Sequence, residues 1–190
     1  MFIQTESTPN PATMKFMPGQ VVISRGTVHF SKVEEASISP LASRIFSVPG
    51  ISSVYLGYDF ITVAKNKYDW PHLKPAILGV IMEHFMSGDP VISDDSFMGD
   101  DSDNGDGDYG FDESDRAIVQ TIKEVLDKRV RPAVARDGGD IIFKGYRDGV
   151  VFLSMRGACS GCPSSAATLK YGVQNLLNHF VPEVNEIRTV

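Results

Sequence analysis

The residues Val150-Val151-Phe152-Leu153-Ser154-Met155-Arg156-Gly157-Ala158-Cys159-Ser160-Gly161-Cys162-Pro163-Ser164-Ser165 change pattern abruptly along their length. Up to Met155 the run is apolar and suited to a pleated, half-buried surface, which reads as a strand. Beyond the cysteines, Leu169, Val173, Leu176, Leu177 and Phe180 recur at steps of three and four, the period of an amphipathic helix. The only two cysteines of the chain lie at the junction, two residues apart. Ser164 and Ser165 suit a helix cap, Pro163 suits the first turn, where its missing N–H costs nothing, and Gly161 permits a tight bend. Both sulfurs are therefore expected beside a helix N-terminus. Its partial positive charge, reinforced by Arg156, should favour thiolate over thiol.

Upstream, Ile141–Tyr146 and Gly149–Met155 read as a β-hairpin turning across Arg147-Asp148. Before the hairpin, Ile118, Ile122, Val125, Leu126, Val130 and Val134 form a helical stripe entered through Ser114-Asp115, with Pro132 inside it as an expected kink. Asp137-Gly138-Gly139-Asp140 ends that helix, and a strand near Val184–Val190 closes the chain. Residues 114–190 thus read as α-β-β-α-β, a two-layer α+β domain with helices on one face of a small sheet.

Residues 1–88 read as a second small α+β domain. Strands are expected at Phe2–Glu6 and Met14–Met17, with short edge pieces at Val21–Ile23 and Thr27–Phe30. Ser39-Pro40 starts a helix and Pro49-Gly50 stops it, with Leu41, Ile45 and Phe46 toward the core. Ile51–Leu56 and Phe60–Ala64 form a hairpin around Gly57-Tyr58-Asp59. Asp69 caps a last helix striped by Leu73, Ile77, Val80, Ile81 and Phe85, and Trp70 opens it as a packing residue. His29, His72 and His84 show no ligand spacing and read as surface or hydrogen-bonded structural residues, so this half reads as a binding or positioning domain. No internal repeat relates the two halves.

Between them, residues 89–113 form an acidic linker rich in Gly, Asp and Ser, too polar to offset its ordering entropy by burial. Asp101–Asp106 begins like a calcium loop, but Gly105 and Asp106 stand where a ligand and a glycine belong, so a solvated tether is the better reading. Residues 89–115 hold eleven acids and no Lys or Arg, which accounts for the net charge of −6. The rest of the chain carries 18 basic against 13 acidic side chains, too slight an excess to argue for nucleic acid. No apolar run is long enough to cross a membrane. Two close cysteines do not make a disulfide framework, which points to a reducing compartment.

Three chemistries compete for the cysteine pair. Thiol–disulfide exchange needs one attacking and one resolving thiol, but thioredoxin-like proteins place the motif after a buried strand of a βαβ unit. Structural zinc needs four ligands, so one chain supplies half a site and a zinc-bridged dimer would be required. A 4Fe–4S cluster also wants four thiolates, which two chains with two each would provide.

The motifs carry a family resemblance. Arg131-Pro132-Ala133, Asp137-Gly138-Gly139-Asp140, Gly157–Ser165 with Thr168-Leu169, and Pro182-Glu183-Val184 resemble the NifU C-terminal (Nfu-type) domain. Thr8-Pro9-Asn10-Pro11 and Met14-Lys15-Phe16 are similar to the Nfu N-terminal domain. The resemblance implies a carrier of iron–sulfur clusters, not an enzyme, with Cys159 and Cys162 as ligands of a 4Fe–4S cluster bridging a homodimer. Gly161 and Pro163 would shape the loop. Implied partners are upstream cluster-assembly proteins and apo iron–sulfur proteins as acceptors. A dithiol–disulfide oxidoreductase using the same pair is the alternative. The start of the chain resembles neither a signal peptide nor an Arg-rich presequence. That favours a bacterial cytoplasmic protein, with the mitochondrial matrix as the setting for a mature eukaryotic form.

Overall fold

Ser39 and Pro40 start the first helix as their chemistry requires. The Ser39 hydroxyl accepts the Ala42 N–H at 3.1 Å, and Pro40 takes the first helical position. The computed structural model that shows this describes residues 2–93, 109–160 and 163–190, apart from the side chains of residues 163–166. The chain divides into two compact units, Met1–Asp101 and Ser102–Val190.

In the first unit, strands β1 (Gln4–Ser7), β2 (Thr13–Met17), β3 (Val28–Phe30), β4 (Ile51–Leu56) and β5 (Ile61–Lys65) form one antiparallel sheet in the order β1-β2-β5-β4-β3. Helices α1 (Pro40–Phe46) and α2 (Trp70–Ser87) contribute Leu41, Ile45, Leu73, Ile77 and Ile81 to a core shared with Phe16, Val54, Leu56, Ile61 and Val63. Each such side chain stabilises the fold by about 1.5–3 kcal/mol when fully buried.

Several expectations shift here. Phe2 and Ile3 precede the first strand. Val21–Ile23 is no strand: the N–H groups of Val22 and Ile23 both donate to Tyr58 O, and Val22 and Ile23 are buried from a loop. Asp69 holds the cap position of α2 without a side-chain bond. Val80 and Phe85 are only half-buried because His84 occupies the inward place between them. Trp70 packs as expected, its Nε1–H donating to Pro11 O at 3.0 Å.

In the second unit, α3 (Arg116–Val125) and α4 (Arg131–Arg136) are joined through a wide π turn at Leu126–Val130. Pro132, expected as a kink, explains the turn: it offers no N–H to the carbonyl four residues back, and Arg131 N–H reaches Leu126 O instead. The widening keeps Ile122, Val125, Leu126, Val130 and Val134 on the core face.

Strands β6 (Gly139–Arg147) and β7 (Val150–Gly157) form the hairpin, and β8 (Glu186–Thr189) pairs parallel to β7 after helix α5 (Pro163–Phe180). The turn lies one residue later than expected. Asp148 (φ 50°) and Gly149 (φ 79°) are both left-handed, as a two-residue turn matching the strand twist demands. Phe180, expected in the α5 stripe, is exposed at the rim beneath the Arg129 guanidinium, 4.8 Å from its ring centroid.

The span expected as a linker is anchored at both ends. Ser39 Oγ donates to Val91 O at 2.6 Å and Ser93 N–H to Ile38 O at 2.8 Å. Tyr109 N–H donates to Lys144 O, Tyr146 N–H donates to Gly110 O, and the Tyr109 ring stacks on Phe152 at 4.3 Å. Residues 94–108, on which the calcium and tether readings fall, lie outside the described residues.

Candidate functional site

Strand β7 ends at Gly157, whose φ of 62° lets the chain leave the sheet and turn back. The turn that follows carries Ala158, Cys159 and Ser160. Ala158 N–H donates to Gly138 O at 3.1 Å, Cys159 N–H to Arg156 O at 3.4 Å, and Ser160 N–H to Gly157 O at 3.1 Å. The Ser160 hydroxyl closes the turn on Gly157 O at 2.8 Å. The β6–β7 ladder sets Gly139 opposite Gly157 and Asp140 opposite Arg156, so the start of β6 lies alongside the cysteine turn.

A buried ion pair holds that start. Arg131 Nε and Nη2 each donate to Asp140 at 2.9 Å, one to each carboxylate oxygen, while Arg131 Nη1 reaches Asp127 at 3.1 Å. Asp140 also accepts the N–H of Ile141 at 2.8 Å. The Asp140 side chain is 5% exposed and that of Arg131 29%, so the pair spans from the interior to the surface. Bidentate geometry of this kind is the stronger class of charge-assisted bond.

Cys159 is 7% exposed and belongs to the core of the second unit. Burial pushes its thiol up to about 12, and the carboxylates of Asp137 and Asp140 push the same way. This reverses the expectation of a thiolate. A helix terminus and Arg156 were to favour the charged form, but desolvation inside the core outweighs them. Cys162 and Gly161, and the side chains of Pro163, Ser164 and Ser165, lie outside what the structure describes. Among the described residues no three His, Cys, Asp or Glu side chains come together as a metal site.

Gly138, Gly139 and the Arg131–Asp140 pair are the structural surroundings of Cys159 that the sequence reading left without a role. Their signal was the doubled glycine of Asp137-Gly138-Gly139-Asp140, which reads locally as a helix stop. His84 is a further correction. It is fully buried in the first unit, and among the described residues neither ring nitrogen has a hydrogen-bond partner. Burial holds its pKa below the usual value, the nearby Arg44 cation adds to this, and Asp89 opposes it.

Comparison with known proteins adds a second line of evidence. Residues 3–88 match the family described as scaffold protein Nfu/NifU N terminal, and residues 122–188 match the NifU-like domain. The human protein named NFU1 iron-sulfur cluster scaffold homolog, mitochondrial, is 45% identical over all of this chain, which covers 72% of the human protein. The Drosophila willistoni protein of the same name is 46% identical, and this chain spans 64% of it. The solution structure of a NifU-like protein from Saccharomyces cerevisiae aligns with 50% of this chain and 87% of its own at 30% identity, with a TM-score of 0.46. With both domains matched in order and that identity along its whole length, the chain belongs to the Nfu family.

Proposed function

We propose that the chain is an iron–sulfur cluster scaffold, not an enzyme, in which Cys159 and Cys162 from each of two copies hold a 4Fe–4S cluster and release it to apo-proteins. The observation that carries this reading is the alignment over all of this chain, at 45% identity, with a relative named as an iron–sulfur cluster scaffold homologue. The donor count supports the rest. A cluster of this type takes four thiolates, and one chain has two cysteines, so two copies make one site.

A site shared between copies suits a cargo that must leave. An acceptor's thiolates displace those of the scaffold one at a time, and each displaced sulfur recovers a proton as the acceptor's fuller ligand set takes hold. Upstream assembly proteins supply the cluster and apo iron–sulfur proteins consume it. The relatives named mitochondrial support the matrix setting over a bacterial cytoplasm. The exchange reading is weaker on physical grounds. Thioredoxin-like proteins place the motif after a buried strand of a βαβ unit, and here it follows the β6–β7 hairpin.

The test is anaerobic loading with iron and sulfide, followed by native mass spectrometry and visible absorption. The expected product is a dimer carrying four irons and four sulfides, lost when either Cys159 or Cys162 becomes serine. A monomer that takes up no cluster and cycles an internal disulfide would refute the proposal.

A further inference from the structure

Gly139 opens β6 directly against the turn that carries Cys159. A Cβ on Gly139 would stand 2.4 Å from Cys159 Sγ, 2.9 Å from Arg156 O and 3.0 Å from Cys159 N. Ordinary contacts lie at about 3.5–4.0 Å, so the sulfur occupies the volume a side chain would need. Two of the three obstructing atoms are backbone: Arg156 O belongs to the β6–β7 ladder, and Cys159 N to the turn beyond it, which must shift if the site is filled. No side-chain swing relieves the clash.

The seat is closed by Ala158 N–H on Gly138 O at 3.1 Å and by the apolar core that Cys159 joins. It is also lightly latched. The Cys159 N–H bond to Arg156 O is long at 3.4 Å, and Gly138 (φ 80°) and Gly157 (φ 62°) bracket the seat with backbone that bends without a Cβ penalty. A sulfur that shares a cluster with a second copy must stand at the surface, where this one does not.

We propose that Gly139 is the positioning residue for Cys159: its missing side chain forms a seat that stores the ligand thiol inside the unloaded chain, and the thiol leaves the seat when it bonds iron. The inference rests on Cys159 being a cluster ligand. Uptake then requires the turn at residues 158–160 to open while the ladder beneath it stays paired. A side chain at position 139 fills the seat and leaves the thiol permanently outside.

The seat is tested without any cluster. In the full chain carrying Cys162→Ser, alkylation of the remaining thiol by N-ethylmaleimide is followed by mass spectrometry. Labelling in buffer should be at least tenfold slower than in urea, and Gly139→Ala should restore most of that rate while far-UV circular dichroism stays native. A role in folding alone would not expose the thiol of a folded chain. Buffer and urea rates within twofold of each other overturn the seat, and that comparison stands even where the variant does not fold. A folded Gly139→Ala chain that labels at the parent rate overturns the assignment to Gly139.

With both cysteines present, iron and sulfide should load the Gly139→Ala chain at least threefold faster, because its thiol is already released. Equal loading rates overturn the release step. A parent chain that takes up no cluster at all defeats the scaffold reading instead, and leaves the labelling result to be judged by itself.

Discussion

Replacing Arg131 with alanine would take two charge-assisted bonds from the Asp140 carboxylate inside the second unit, and the reciprocal change would not be its mirror image. The Asp140 side chain is 5% exposed and takes two bonds of 2.9 Å from Arg131. Stranding a buried charge by removing its partner costs about 3–5 kcal/mol. The Ile141 N–H still donates to it, so the lower half of that range is expected. In Asp140→Ala the survivor is Arg131, 29% exposed and still bonded to Asp127 at 3.1 Å. Water and Asp127 satisfy it, and the cost falls to about 1.5–3 kcal/mol, that of lost charge-assisted bonds. The assay is urea unfolding of the full chain followed by circular dichroism and by fluorescence. Trp70, the single tryptophan, lies in α2 of the first unit and serves as an internal control. Its transition should not move, while the second unit's transition shifts more for Arg131→Ala than for Asp140→Ala. Equal costs, or the reverse order, would refute the claim that Asp140 is the desolvated member. The double variant should cost less than the two singles together, because the stranded carboxylate is then absent.

Three further outcomes are expected. His84 is a buried base with a lowered pKa, so below its ordinary value of 6.5 the unfolded chain takes up a proton that the folded first unit refuses. Stability should therefore fall as pH drops below that value, and the Trp70 urea midpoint of a His84→Leu chain should fall less between pH 7.5 and 5.5; parallel losses would refute the assignment. Gly149→Ala combines a left-handed backbone at φ 79° with a Cβ 2.3 Å from Asn185 Nδ2 and 3.0 Å from Glu183 O. It should destabilise the second unit by at least about 1 kcal/mol in the same urea assay. Tyr109→Ala removes a ring stacked on Phe152 at 4.3 Å and should cost about 0.5–1.5 kcal/mol beyond its lost burial, with faster amide exchange at Tyr146, whose N–H is held by Gly110. Unchanged exchange there would show that the segment does not protect the edge of β6.

Much of the fold was legible because its signals are local. Ser39-Pro40 announces a helix start from two side chains, and the structure uses both. Pro132 inside an apolar stripe announces a disturbance, though not its form. Whether a missing N–H gives a kink or a π turn depends on keeping Val130 and Val134 facing one core, which is a demand of the sheet behind them. The hairpin was legible to within one residue. Its loop moved to Asp148-Gly149 because only that pair supplies two left-handed positions at the register the ladder imposes. Val21–Ile23 is β-prone in composition, yet Tyr58 O captures the N–H groups of Val22 and Ile23 that a strand would have used.

The site divides along the same line. Sequence by itself determined that two thiols sit two residues apart between a strand and a helix, that four thiolates need two chains, and that the motifs are those of the Nfu family, because each follows from neighbours in the chain. Only the tertiary structure decided the state of Cys159. Its sulfur rests against Gly139, twenty residues earlier, beside a carboxylate locked by Arg131, in a core assembled from both ends of the unit. Desolvation is a sum over everything that excludes water, and no local pattern records it. A helix terminus and a nearby arginine argue for a thiolate from sequence; a closed core, formed by pairing distant segments, pushes the thiol the other way.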